Sequence, residues 1–277
     1  MSSCYIPKTL GELGEALKHL TSSSLILAGG TDLVLHMRQR HLEPDLLLSL
    51  TDVPALREIH VTPEQVSIGA MATMSEIVTS LDGIEDLQAL ADAAAGVGSP
   101  QIRNKGTIGG NAANASAAAD LPPVLWLLGA EAEIMGPGGT CRTISIRDLP
   151  DGNQGNTLAE NEVILRFLID RRALKGWRSV FVKLGHRSEV TISRIGLAMA
   201  LKQDADGTVL DARVVVGAIK PVPFPLPAAE ELLRGKKPDP SSDLAIQLGE
   251  TFKGNTRRVY KENAAKGVFQ DALLRFQ

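Results

Sequence analysis

Residues 106–131 read GTIGGNAANASAAADLPPVLWLLGAE, and the fold turns on how this stretch is read. Its first six positions hold three glycines, a threonine, an asparagine and one apolar side chain, Ile108. Glycine inside a regular element costs about 0.5–1 kcal/mol against alanine, so such a cluster marks a tight backbone path or something held close to the backbone. A second cluster lies upstream, where the apolar strand in SLILAGGTD (24–32) ends in two glycines. Successive N–H groups in a glycine turn can form a concave nest for an anion, and the hydroxyls of Thr31 and Thr107 would add donors. Each segment alone is equally well a tight turn. Together they could face one diphosphate, as a dinucleotide cofactor requires. Neither is GxGxxG or GxxxxGK[ST], which removes the main support for Rossmann and P-loop readings.

Around these segments, helices and strands alternate. KTLGELGEALKHL (8–20) has Leu10, Leu13, Leu17 and Leu20 on one face and Thr9 as a cap, so it reads as an amphipathic helix. A helix is expected over 31–40, capped by Thr31 or Asp32 and burying Leu33, Val34 and Met37. Strands are expected at 45–50, 65–71, 130–135 and 162–170, with helix over much of 74–98, interrupted at Asp82-Gly83. Leu121 opens a short helix whose first turn tolerates Pro122 and Pro123, and 147–162 is a polar loop. Farther on, two long strands join through Asp206-Gly207, a hairpin signal, and 228–235, 242–252 and 257–276 are helical. The domain boundary is expected near 165–175, where DRRALKGWRS (170–179) is charged and aperiodic, and the class is α+β.

Composition narrows the functional classes. The 277 residues are 44% hydrophobic, ample for a real core, and carry 29 basic against 32 acidic side chains. A net charge of −3 makes no electrostatic case for nucleic acid or an anionic membrane. No signal peptide or membrane span is expected, and the cytoplasm is the default location. Cys4 and Cys141 lie too far apart in sequence for a metal motif, and the five histidines form no metal spacing, so no metal site is expected on this chain. Hydrolysis through a covalent intermediate has no GxSxG or evident nucleophile and base to support it. Asp120 could cap the helix that follows it or bind a cofactor ribose hydroxyl. Lys183 is either a functional cation or an edge lysine, while Arg103 and Lys105 either offset phosphate charge or face solvent.

Three stretches, LILAGGTDLVLHMR, IRNKGTIGGNAANASAAADLPPVLWLLGAE and FVKLGHR, closely resemble the FAD-binding medium subunit of molybdenum hydroxylases, the xanthine dehydrogenase and carbon monoxide dehydrogenase family. The resemblance covers nearly the whole chain. It implies a PCMH-type FAD-binding domain over 1–170, made of two α+β subdomains at about 1–55 and 56–170, followed by an α+β C-terminal domain over 171–277. Carried over residue by residue, it implies that Ile26, Leu27, Ala28, Gly29, Gly30, Thr31, Asp32 and Leu33, with Thr107, Ile108, Gly109, Gly110 and Asn111, wrap the FAD diphosphate. Asp120 would contact the cofactor beyond it, and Ile164 and Lys183 match positions beside the flavin ring. Val97 falls where some relatives place an aromatic residue, and Thr191 where many have aspartate. No catalytic residue is implied on this chain.

In such a family the chain is one station of an electron relay. The resemblance implies a molybdopterin-binding large subunit that hydroxylates substrate, a small subunit with two 2Fe-2S clusters, and this FAD passing electrons on, with NAD the expected acceptor. A xanthine dehydrogenase-like complex, a dimer of heterotrimers, is the expected assembly. A stand-alone PCMH-type flavin oxidase or reductase and a flavin-free assembly subunit are the alternatives.

Overall fold

The computed structural model describes residues 3–153, 155–187 and 190–277. The N-terminal unit runs β1 (Ser3–Tyr5), α1 (Leu10–Leu17), β2 (Leu25–Leu27), α2 (Leu33–Arg40) and β3 (Leu46–Ser49). Its strands form a parallel sheet in the order β1-β3-β2. The Thr9 hydroxyl accepts the Glu12 N–H and starts α1, which buries Leu13 and Leu17 against Leu48 of the central strand. Helix α2 differs from the sequence expectation. It buries none of its residues, and neither Leu33, Val34 nor Met37 forms a closed stripe. Leu33 instead lines an open cleft described below.

The second unit contains β4 (Ile59–Val61), β5 (Gln65–Gly69), α3 (Met74–Leu81), α4 (Gln88–Ala95), α5 (Pro100–Arg103), α6 (Ile108–Ala113), α7 (Leu121–Leu127), β6 (Glu131–Met135), β7 (Cys141–Ser145) and β8 (Val163–Asp170). Its sheet is antiparallel throughout, in the order β4-β5-β8-β6-β7. A reciprocal capping box between Thr73 and Glu76 opens α3, and the chain turns out of it at Asp82-Gly83. The stretch that opened the reading is helical at its start: Thr107 caps α6, its hydroxyl accepting the Gly110 N–H at 3.1 Å.

Arg171–Leu174, a single helical turn, leads into the third unit of β9 (Trp177–Leu184), β10 (Ile195–Gln203), β11 (Val209–Gly217), β12 (Phe224–Pro225), α8 (Pro227–Leu233), α9 (Leu244–Thr251) and α10 (Val259–Leu274). The strands form an antiparallel sheet in the order β12-β11-β10-β9. Side-chain alternation splits β10 between two cores. Leu197, Met199 and Leu201 pack with Leu248, Phe252 and Phe269 under the C-terminal helices, whereas Ala198 and Ala200 face Leu90, Leu121 and Val124 on α4 and α7. Small residues on that second face let the helices approach closely. The third sheet therefore shares the hydrophobic core of the second unit, and its strands reach α4 and α7, the latter following the glycine segment in the chain.

Candidate functional site

A cleft of about 470 Å³ opens between the first two units. Its walls come from the strand-to-helix turn after β2, from Val97 and the segment around the start of α6, and from the loop that precedes β8. The two glycine segments meet at its base. A Cβ on Gly29 would lie 1.9 Å from the Lys105 carbonyl oxygen, so only glycine lets the β2 turn dock on the chain entering α6. A Cβ on Gly109 would lie 2.6 Å from that of Ala70, which makes Gly109 a packing glycine against β5 and its continuation. Gly110 lines the cleft, where a Cβ would meet the Thr107 hydroxyl at 3.0 Å and Ala28 at 3.6 Å.

Backbone donors separate the two segments by role. The N–H groups of Ile108 and Gly109 bond to the carbonyls of Ala72 and Ala70, Gly110 to Thr107 Oγ1 and Asn111 to the Thr107 carbonyl. This limits the reading of GTIGGN as a nest: its donors from Ile108 to Asn111 are spent inside the fold, and only the N–H of Thr107, a residue that lines the cleft, has no acceptor among the described residues. The N–H groups of Gly29, Gly30, Thr31 and Asp32 have no acceptor among the described residues, and all four residues line the cleft. Gly30 sits at φ +72°, a left-handed conformation that turns the backbone ahead of α2. From α6, Asn111 contributes a side chain whose Oδ1 is buried and has no hydrogen-bond partner among the described residues. A buried amide oxygen left unpaired costs about 1–3 kcal/mol, so its retention points to a ligand.

The other wall is the polar loop that ends at Glu162. Asn156 donates to the Ala113 carbonyl at 2.7 Å and accepts the Leu158 N–H at 2.9 Å, which pins the loop to the end of α6. Glu162 accepts the Ala159 N–H and a two-pronged pair from Arg142 at 2.8 and 2.7 Å. The Arg142 guanidinium holds the Glu162 carboxyl below its ordinary value. Leu158, Glu160 and Val163 line the cleft beside the expected Ile164, and Met71 and Met74 add polarizable surface. No short motif in the sequence signals this wall; the asparagine and glutamate that organise it are separated from their partners by 43 and 20 residues.

Of the residues expected at the site, Ile26, Ala28, Gly29, Gly30, Thr31, Asp32, Leu33, Val97, Thr107, Gly109, Gly110, Asn111 and Ile164 line the cleft. Leu27 is on β2 outside the lining, and Ile108, the first residue of α6, is fully buried on the helix's inner face. Asp120 and Lys183 lie behind the wall and pair with each other at 2.7 Å. Asp120 makes no helix-capping hydrogen bond, and its second oxygen accepts a short hydrogen bond from the Ser193 hydroxyl. Burial pushes the Asp120 carboxyl above its ordinary value, against the pull of Lys183 and Ser193. Lys183 also donates to the Gly96 carbonyl at 2.8 Å, next to Val97 in the cleft wall. Thr191, the departure from aspartate, accepts the His186 N–H at 3.0 Å.

Comparison with known proteins names the occupant this architecture serves. Residues 1–169 match the family model of the FAD binding domain in molybdopterin dehydrogenase. The chain belongs to this family. The nicotinate dehydrogenase FAD-subunit of Eubacterium barkeri is 35% identical over 98% of this chain and 94% of its own length. The nicotine 6-hydroxylase medium subunit of Paenarthrobacter nicotinovorans is 32% identical over 82% of this chain and 78% of its own. Among solved structures, quinoline 2-oxidoreductase from Pseudomonas putida 86 superposes with a TM-score of 0.87 at 26% identity, over 99% of this chain and 96% of that one. This is an FAD-binding medium subunit of the molybdenum hydroxylase type, and the residues present fit the cofactor. Unpaired N–H groups at 29–32 suit a diphosphate, Gly110 leaves room where a Cβ would intrude, and a hydroxyl of the cofactor would give Asn111 Oδ1 the donor it lacks in the protein alone. Among the described residues, no group of three or more His, Cys, Asp or Glu side chains is placed to hold a metal ion, and no helix is long and apolar enough to cross a membrane.

Proposed function

We propose that this chain is the flavin station of a cytoplasmic molybdenum hydroxylase. A large molybdopterin subunit hydroxylates the substrate, a small subunit passes electrons through 2Fe-2S clusters, and this chain delivers them to NAD. The assembly is a dimer of heterotrimers. Bound FAD supplies a carrier that accepts electrons singly and releases them in pairs. The chain's own residues do the binding and orienting. The turn at 29–32 offers backbone donors, Asn111 a side-chain amide, and the pinned loop at 156–163 a wall that limits water. Lys183 and Asp120 fix the backbone at Gly96 from behind.

The substrate class we favour is an N-heteroaromatic ring, of which xanthine is one case. The observation that carries this is the pairing of a relative named nicotinate dehydrogenase, matched over 98% of this chain, with a solved neighbour named quinoline 2-oxidoreductase, matched over 99%. Matching a relative designated an FAD-subunit over 94% of that subunit's length argues against a stand-alone flavin oxidase or reductase, and the unspent donors at 29–32 argue against a flavin-free assembly subunit. The test is purification of the native complex through a tag on this chain, followed by flavin, iron and molybdenum analysis. Turnover is then screened with nicotinate, xanthine and quinoline against NAD and oxygen. Flavin, iron and molybdenum in one assembly that oxidises an N-heteroaromatic with NAD is the expected result. A chain that purifies alone with flavin and turns over substrate contradicts the reading.

A further inference from the structure

Ile102 and Arg103 are neighbours on α5 and face different things. Ile102 lines the flavin cleft together with Val97 and is 38% exposed. Arg103, expected to offset phosphate charge or face solvent, turns instead to the chain's own backbone. Its Nη1 donates to the Val97 carbonyl at 3.3 Å and to the Gly98 carbonyl at 3.0 Å, the only side-chain hydrogen bonds it makes among the described residues. Lys183 Nζ lies 2.8 Å from the Gly96 carbonyl, so three successive carbonyls, 96 to 98, each end on a cation.

Two adjacent carbonyls aimed at one nitrogen need a turn between them and a charge to offset their repulsion. Gly98 supplies the turn, at φ +49°, and the half-buried guanidinium supplies the charge. The same turn seats Ile102. A Cβ on Gly98 would lie 3.0 Å from Cβ and Cγ2 of Ile102, so glycine lets that side chain close against the backbone next to Val97. The flavin ring is a flat three-ring system, wider than one valine. Ile102 extends the apolar surface that Val97 begins, and burying such surface against a ring is favourable in proportion to its area. Arg103 is absent from the cleft lining, so it acts on this surface through the backbone.

We propose that Val97 and Ile102 form the apolar platform on which the flavin ring rests, and that Arg103 is the positioning residue that holds the platform by gripping the carbonyls of Val97 and Gly98. The assignment rests on the cleft being the FAD site. Without the guanidinium, two converging carbonyls are left in a half-buried turn with no donor. The turn then relaxes, and Val97 and Ile102 move with it.

The test uses the native complex stripped of FAD, as wild type, Arg103→Met and Ile102→Ala. FAD is titrated back, and ADP, which carries the adenosine and diphosphate without the flavin ring, is measured as a competitor of that uptake. Both substitutions are expected to raise the FAD dissociation constant by about tenfold or more, through a lost charge-assisted hydrogen bond in one and lost apolar contact in the other, and to leave the ADP inhibition constant within about twofold of wild type. A general loosening of the fold would weaken FAD and ADP alike. Ile102→Ala removes part of a side chain that is partly in solvent and disturbs no hydrogen bond, so it tests the platform even where Arg103→Met fails to fold. Failure of the wild-type complex to take up FAD removes both the platform and the reading it rests on. FAD uptake that either substitution leaves unchanged, or a loss shared equally by FAD and ADP, overturns the platform and leaves that reading standing.

Discussion

Lys183 Nζ lies 2.7 Å from Asp120 Oδ2 and 2.8 Å from the Gly96 carbonyl, so one ammonium joins β9, the start of α7 and the backbone beside Val97. Both partners are buried, with side chains 13% and 6% exposed. The geometry makes the pair a strut behind the cleft wall. Removing one partner leaves the other charge buried and uncompensated, which costs about 3–5 kcal/mol, whereas removing both is close to neutral. Lys183→Met and Asp120→Asn are each expected to lower unfolding stability by that order in a urea titration, and the double variant to recover most of it. Additive losses in the double variant would show that the two residues act separately.

Glu162 gives the cleft an acid limit. Its carboxyl is held below its ordinary value of 4.5, first by the Arg142 hydrogen bonds and opposed by burial. A depressed carboxylate contributes stability that is fully present above the unfolded-state value and is lost as pH falls through the folded value. With Arg142 42% exposed, solvent screening limits the pair to about 1 kcal/mol. Wild type should therefore exceed Glu162→Gln in stability by about that amount at neutral pH, with the gap closing below pH of about 4. A gap that is constant with pH in thermal melts counts against this account of the loop.

The glycines separate by what a side chain would strike. Gly29→Val would drive a methyl-bearing carbon into the Lys105 carbonyl and should misplace the junction between the first two units, while Gly109→Val would drive one into Ala70 and should unseat α6 from the continuation of β5. Gly110→Val meets the Thr107 hydroxyl at 3.0 Å, Ala28 at van der Waals distance and otherwise the open cleft, with no backbone atom in its way. It is expected to keep its fold by circular dichroism and to purify without flavin. Normal flavin content in folded Gly110→Val would remove Gly110 from the site.

Much of this was legible in the sequence, for physical reasons. Strong periodicity gave α1 and the β10–β11 hairpin, and Asp82-Gly83 marked a real break between α3 and α4. The three-residue strands β1 and β4 carry too few residues for any period to show. Helix α6 was hidden because Gly-Gly-Asn is a poor helix sequence; the Thr107 cap and the long-range bonds to Ala70 and Ala72 hold it in place. Asp120 precedes a helix, where a cap is the simplest reading, yet its partners Lys183 and Ser193 lie 63 and 73 residues away. The cleft's third wall and Ser193 escaped notice for the same reason, since their meaning lies in pairings far apart in sequence. Helix α2 read as buried because amphipathic spacing reports a face that needs cover and cannot say whether this chain supplies it.

In the function proposed above, the turn at 29–32 and the Asn111 side chain hold FAD. Asn111→Leu tests it most directly, because the orphaned Oδ1 makes the residue a liability without a ligand. Flavin affinity and the melting temperature of the flavin-free protein are measured together by titrating FAD into the apoprotein. The account predicts an apoprotein at least as stable as wild type and an FAD affinity lower by about tenfold or more. A less stable apoprotein that binds FAD like wild type would contradict it.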